Sequence, residues 1–146
     1  MSKSIVIATP ATIELEPISV PISPDWVSSG TPVSWSKNLA RSHDWTSNIV
    51  VWECNAGTFK WHYSQDEVIF VVSGEAFMLN EMGGERRFGP GDLGFFPAGT
   101  SATWRVPKGI RKVAVLRETM WRPLGLVLKV WNKLLRMSGL AGKSPL

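Results

Sequence analysis

Lys60, His62 and Glu67 stand close together in the middle of the chain. An amine, an imidazole and a carboxylate in one short stretch can bind a small anionic or amide-bearing ligand, and Glu67 can act there as acid or base. They are expected to share one strand face or its adjoining turn and to point inward. The alternative reading is structural: Lys60 pairs with Glu67, because buried charge is costly unless paired, and His62 is hydrogen-bonded in place. Trp104 lies two residues beyond Ala102, so strand alternation puts both on one face. It forms either an aromatic wall for a ligand or a plug that fills the interior. By the same alternation Trp61 and Tyr63 face opposite His62 and pack outside, under the N-terminal arm or in a subunit interface. Cys54 has no second cysteine to pair with and is expected to be a structural thiol rather than a nucleophile. Asp92 and Arg87 read as turn and surface residues, with Asp92 capping the turn at Gly91.

The elements that must position these residues are short strands. Val-, Ile-, Phe- and Trp-rich runs cover Ile49–Glu53, Thr58–Tyr63, Glu67–Ser73, Glu75–Asn80, Glu85–Phe88, Leu93–Phe96, Ala102–Val106 and Arg111–Arg117. Turn signals separate them at Asn55-Ala56-Gly57, Ser73-Gly74, Gly83-Gly84, Gly89-Pro90-Gly91-Asp92, Ala98-Gly99 and Lys108-Gly109. Many short strands at regular spacing imply a sandwich or barrel, not a βαβ sheet. Residues 1–45 are punctuated by Pro10, Pro17, Pro21, Pro24 and Pro32. Proline cannot donate to a sheet ladder, so this segment reads as an extended arm with short edge strands. Trp26, Trp35 and Trp45 anchor it, and it could cover a barrel end or cross to a partner subunit. The core spans 46–118. The tail, 119–146, carries a helix from Pro123 to about Met137, with Gly139 as its stop.

Two segments carry a family resemblance. The first runs from Gly57 through Lys60, His62 and Glu67 to Gly74. The second runs from Gly91-Asp92 through Pro97-Ala98-Gly99 to Ala102 and Trp104. In order and spacing they resemble the two motifs of the cupin superfamily. The first cupin motif has two His separated by one residue, then Glu, then Gly after six residues. The second has Gly-Asp, then Pro-x-Gly, then a third His. Trp61-His62-Tyr63, Pro97-Ala98-Gly99-Thr100 and Arg111-Lys112-Val113 are similar to the branch that holds the ureidoglycine aminohydrolase cupin domains. The resemblance covers Val51 to Leu116 and implies an all-β jelly-roll barrel with a Pro-rich N-terminal arm and a short C-terminal helix. It also implies where a metal would be held. The ligand positions fall on Lys60, His62, Glu67 and Ala102, and of these only His62 and Glu67 are metal-binding types here. No cofactor is therefore expected. A divalent metal, if bound, would rest on His62 and Glu67 with help from water or substrate.

Composition narrows the function classes. The 146 residues carry a formal charge of +4 and eight Trp. Large aromatics can fill and close a small barrel. The scattered basic excess comes without a recognition motif, so no nucleic-acid partner is expected. No run approaches the roughly 20 apolar residues that span a bilayer, and no secretory leader is recognisable; a cytoplasmic location is the expectation. Membrane contact by the basic tail helix is not expected, and packing on the barrel or a partner subunit is preferred. Sheet edges and the arm invite a homodimer. Three functions stay open: a metal-independent cupin binding a small polar metabolite through Lys60, His62, Glu67 and Trp104; a metal-dependent aminohydrolase-like enzyme or isomerase; and an interaction protein using its aromatic surface and tail.

Overall fold

The computed structural model describes residues 4–18, 22–79 and 84–139. Asn80 and Gly83, expected at a strand end and in a turn, and Pro21 of the arm lie outside the described residues. In chain order the strands are β1 (Glu16–Pro17), β2 (Val27–Gly30), β3 (Ser34–Arg41), β4 (Ser47–His62), β5 (Asp66–Gly74), β6 (Ala76–Leu79), β7 (Glu85–Phe88), β8 (Leu93–Phe96) and β9 (Ser101–Arg117). A 3-10 turn at Pro24–Trp26 precedes β2, and helix α1 (Arg122–Met137) ends the described chain. All strand pairings are antiparallel.

Two long strands build the barrel. β4 and β9 pair along almost their whole lengths. Their outer halves join β1, β3, β5 and β8, in the order β1-β3-β4-β9-β5-β8, while their inner halves carry β2, β6 and β7. The two expected runs at 49–53 and 58–63 are thus one strand, as are those at 102–106 and 111–117. Asn55-Ala56-Gly57 and Lys108-Gly109 are not turns between strands. They mark a register shift where the β4–β9 pair bends from one face of the barrel to the other. Gly57 suits the bend, because an added Cβ would lie 2.9 Å from the ring of Pro32. The arm is more regular than its prolines suggest. β3 is eight residues long and pairs with β4, since Pro32 precedes it and no proline interrupts it. Arg111 ties the arm down, donating to the carbonyls of Ala11 and Ile13 at 2.7 Å.

The core holds Trp52, Cys54, Phe59, Ile69, Val71, Phe88, Trp104 and Ile110. The outer face of the sheet is also apolar. Ile49, Val115, Val68 and Phe95 are cross-strand neighbours in one row, and Val51, Val113, Phe70 and Leu93 in the next. Phe70, Leu93 and Phe95 are exposed there. Helix α1 begins one residue earlier than expected, with Pro123 in its first turn, and buries none of its residues. The preferred expectation is packing on the barrel or on a partner subunit, and among the described residues the barrel does not cover the helix.

Candidate functional site

The register shift in β4 decides which side chains enter the barrel. Before it, Trp52 and Cys54 are buried; after it, Phe59 and Tyr63 are, with Trp61 half-buried. The inward set changes from even to odd numbers because pairing moves from Asn55↔Gly109 to Gly57↔Val106. On β9 Trp104 and Val106 as well as Ile110, Lys112 and Ala114 face in. Two expectations are corrected. Lys60 is exposed and away from the cavity and His62 is exposed at its rim, whereas Trp61 and Tyr63 point into the barrel. The driving force is the larger apolar area of the two aromatics.

A cavity of about 610 Å³ opens inside the barrel. Trp26, Trp52 and Trp61 line it, with Val50, Ala114 and Leu116 from the sheet. Ser34 and Ser36 of β3 and Tyr63, Ser64 and Gln65 of the β4–β5 turn supply polar groups. Ile18, Ile22 and Ser23 of the arm also line it. The three indoles meet edge to face, Trp61 lying 5.6 Å from Trp26 and 5.9 Å from Trp52 between ring centroids.

Glu67 and Lys112 form the charged part of this wall. The Lys112 ammonium donates to Glu67 Oε1 at 2.7 Å, and the two side chains are only 5% and 8% exposed. The same ammonium lies 4.9 Å from the ring centroid of Trp52, 5.0 Å from Trp104 and 5.8 Å from Trp61. An ion withdrawn from water needs such compensation: the carboxylate neutralises it and the indole faces attract it. Glu67 is thus paired, but with Lys112 rather than Lys60. Lys112 escaped the sequence analysis as a site residue, although its signal was present. It alternates with Ile110 and Ala114, which places a lysine on the apolar face of a strand.

Tyr63 is the third polar group. Its hydroxyl oxygen accepts a 2.9 Å hydrogen bond from Trp104 Nε1–H. Burial is the main cause that raises the phenol above its ordinary range, and the nearby Glu67 charge adds to it; the Trp104 hydrogen bond opposes both. The phenol is therefore neutral at physiological pH, with a hydrogen to offer. The Pro97-Ala98-Gly99-Thr100 motif sets its backbone. Tyr63 N–H donates to Thr100 O, and Gly99 N–H donates to Tyr63 O at 2.7 Å. Gly99 adopts the φ of +81° that this turn needs. Asp92 accepts from Gly89 N–H at 2.9 Å, capping its turn as expected.

The remaining sequence candidates lie at the edge or outside. His62 lines the cavity rim, where its Nδ1 shares a 2.6 Å hydrogen bond with Ser101 Oγ and its ring meets Trp26 edge to face. Lys60 does not line the cavity. Trp104 fills space: it is buried, stacks on Phe59 and contacts Phe88 and Phe96. Cys54 is buried, and burial pushes its thiol up to about 12.

The residues do not fit the metal that the cupin fold implies. Among the described residues no three His, Cys, Asp or Glu side chains come together to hold an ion. His62 is exposed at the cavity rim with its Nδ1 engaged by Ser101 Oγ, Ala102 offers no donor, and the Glu67 carboxylate already faces a cationic ammonium.

Comparison with solved structures agrees with the barrel. A protein of unknown function of the DUF861 family from Pseudomonas syringae pv. tomato superposes with a TM-score of 0.66 at 23% identity, over 73% of this chain and 45% of its own. The EutQ protein of Clostridium difficile gives 0.52 at 24% identity, over 62% of this chain and 66% of its own. A putative ethanolamine utilization protein Q from Salmonella typhimurium gives 0.54 at 19% identity, over 75% and 99%. At these identities the likeness shows the fold, and this chain spans less than half the length of the Pseudomonas protein. No curated protein matches the chain. The family model described as the EutQ-like cupin domain matches residues 41–114, which carries both motifs without singling out the ureidoglycine aminohydrolase branch. On that match, over half of its length, the chain belongs to the EutQ-like cupin domain family.

Proposed function

We propose that the protein binds a small polar metabolite, anionic or amide-bearing, inside its barrel without the help of a metal. The buried Lys112–Glu67 pair in the wall of an indole-lined cavity carries this reading. The Lys112 ammonium can donate to a ligand carboxylate or amide oxygen, and the Glu67 carboxylate can accept from an amide N–H. Tyr63 adds a neutral hydroxyl, Gln65, Ser34 and Ser36 add uncharged hydrogen-bonding groups, and the tryptophans exclude water around them. Of the residues singled out in the sequence, Glu67 sits at the centre of the site and His62 at its rim; Trp104 supports it from behind through Tyr63. The resemblance to ureidoglycine aminohydrolase cupin domains supports an amide-bearing ligand, while the donor set gives no support to a metal-dependent reaction.

The test is a thermal-shift and calorimetric screen of small carboxylates and amides. A ligand at a hundred times its Kd should stabilise the protein by about 2.7 kcal/mol, raising Tm by about 8–10 °C. The double variant Lys112→Met/Glu67→Leu should stay folded and lose the shift. If no member of the panel binds, and substitutions at Lys112, Glu67 and Tyr63 change only stability, the proposal is wrong.

A further inference from the structure

Helix α1 is an amphipathic element whose apolar side is covered by nothing from the barrel among the described residues. Leu126, Val127, Val130, Trp131 and Leu134 form a shallow apolar groove of about 280 Å³, and Leu126 and Trp131 remain 64% and 59% exposed. Trp121, immediately before the helix, is 78% exposed. In water such a face is normally covered. The charges say by what. Arg122, Lys129, Lys133 and Arg136 belong to the helix, and no Asp or Glu occurs anywhere from Thr119 to Leu146. Lys129, Lys133 and Arg136, with Asn132, recur at helical spacing and form one polar stripe beside the apolar face. An all-cationic stripe beside a broad apolar face with tryptophans is the arrangement that settles into an interface: apolar side chains enter the acyl boundary, indoles sit at headgroup level, and lysines reach out to anionic lipid.

We infer that α1 is a docking helix for an anionic membrane surface, holding the barrel and its cavity at the lipid interface. A second copy of the helix is the poorer occupant, because it would bring another set of like charges with no carboxylate to meet them. The helix alone gives reversible attachment, and each basic residue near the surface strengthens binding about fivefold. This inference is independent of the cavity's ligand.

The test uses the full chain and flotation with phosphatidylcholine vesicles, with and without phosphatidylserine. Co-flotation is expected with the anionic vesicles, weakening as salt screens the surface. Lys129→Glu/Lys133→Glu should cut that binding by more than about tenfold. Trp131→Asp should abolish it while leaving the melting temperature of the barrel unchanged, since α1 buries no residue. Failure to float at low salt would overturn the inference, as would equal binding by the charge-reversed variant. So would light scattering that shows an oligomer of the chain dissolving on Trp131→Asp, which would make a second copy the occupant.

Discussion

Replacing Lys112 by Met tests the central pair directly. Methionine keeps most of the stem that packs among Trp52, Trp61 and Trp104 but removes the ammonium that Glu67 Oε1 accepts from at 2.7 Å. With both side chains under a tenth exposed, the little water that reaches them from the cavity is a poor replacement for the lost partner. The main cost is therefore a stranded carboxylate, about 3–5 kcal/mol for a buried pair broken on one side. Against a total stability of about 5–15 kcal/mol for such a domain, the variant should lose a large fraction of its stability and about 10–15 °C in Tm. Removing both charges behaves differently. Lys112→Met/Glu67→Leu deletes the pair together with its desolvation penalty and should lie within about 1 kcal/mol of wild type. Urea unfolding at pH 7, followed by tryptophan fluorescence, gives both numbers, with unchanged m values as the check that the unfolded state is comparable. A single variant within about 1 kcal/mol of wild type would refute the burial argument. So would a double variant as unstable as the sum of its parts, since a coupled pair cannot be additive.

Tyr63 is the only tyrosine, so absorbance near the phenolate band reports it alone; it should ionise well above the ordinary value of 10.0. Because the folded value is raised, its contribution to stability is intact below that ordinary value and falls as pH rises past it, when the unfolded phenol ionises first; ionisation at the ordinary value would place the ring in water. The Cys54 thiol, raised to about 12, should react with an aromatic disulfide reagent only as fast as the protein unfolds, and rapid labelling of the native state would contradict its burial. Gly74 has φ +70°, and a Cβ there would lie 2.1 Å from Gly109 O, so Gly74→Ala should cost about 2–4 kcal/mol in urea unfolding; Gly91→Ala, with φ +87° but open space around it, should cost about 1 kcal/mol. If the chain forms a homodimer through the outer sheet face, Phe95→Asp should give a folded monomer by light scattering, and an unchanged mass would clear that face.

How far the sequence reached is plain at particular residues. Glu67, Gly74, Gly91-Asp92 and Pro97-Ala98-Gly99 carry the cupin resemblance that implies the barrel, and the turns among them are legible because turns depend on local backbone chemistry, which neighbours in sequence supply. The tail helix was equally legible, since its spacing and its Pro and Gly boundaries are local. The seating of Lys60 and His62 was not. One shift in pairing between β4 and β9 exchanges the inward and outward sets of a strand, and pairing joins residues some fifty positions apart. Trp61 and Tyr63 therefore took the interior that alternation had given to His62. Lys112 illustrates the same limit. Its place on an apolar strand face could be read from Ile110 and Ala114, but its partner, Glu67, is 45 residues away, and only the closed barrel brings ammonium, carboxylate and three indoles to one point. The sequence by itself determined the short strands β5 to β8, their turns and the helix; tertiary pairing joined the other runs into β4 and β9 and decided which of their side chains face the cavity, because that choice depends on burying the most apolar surface at once.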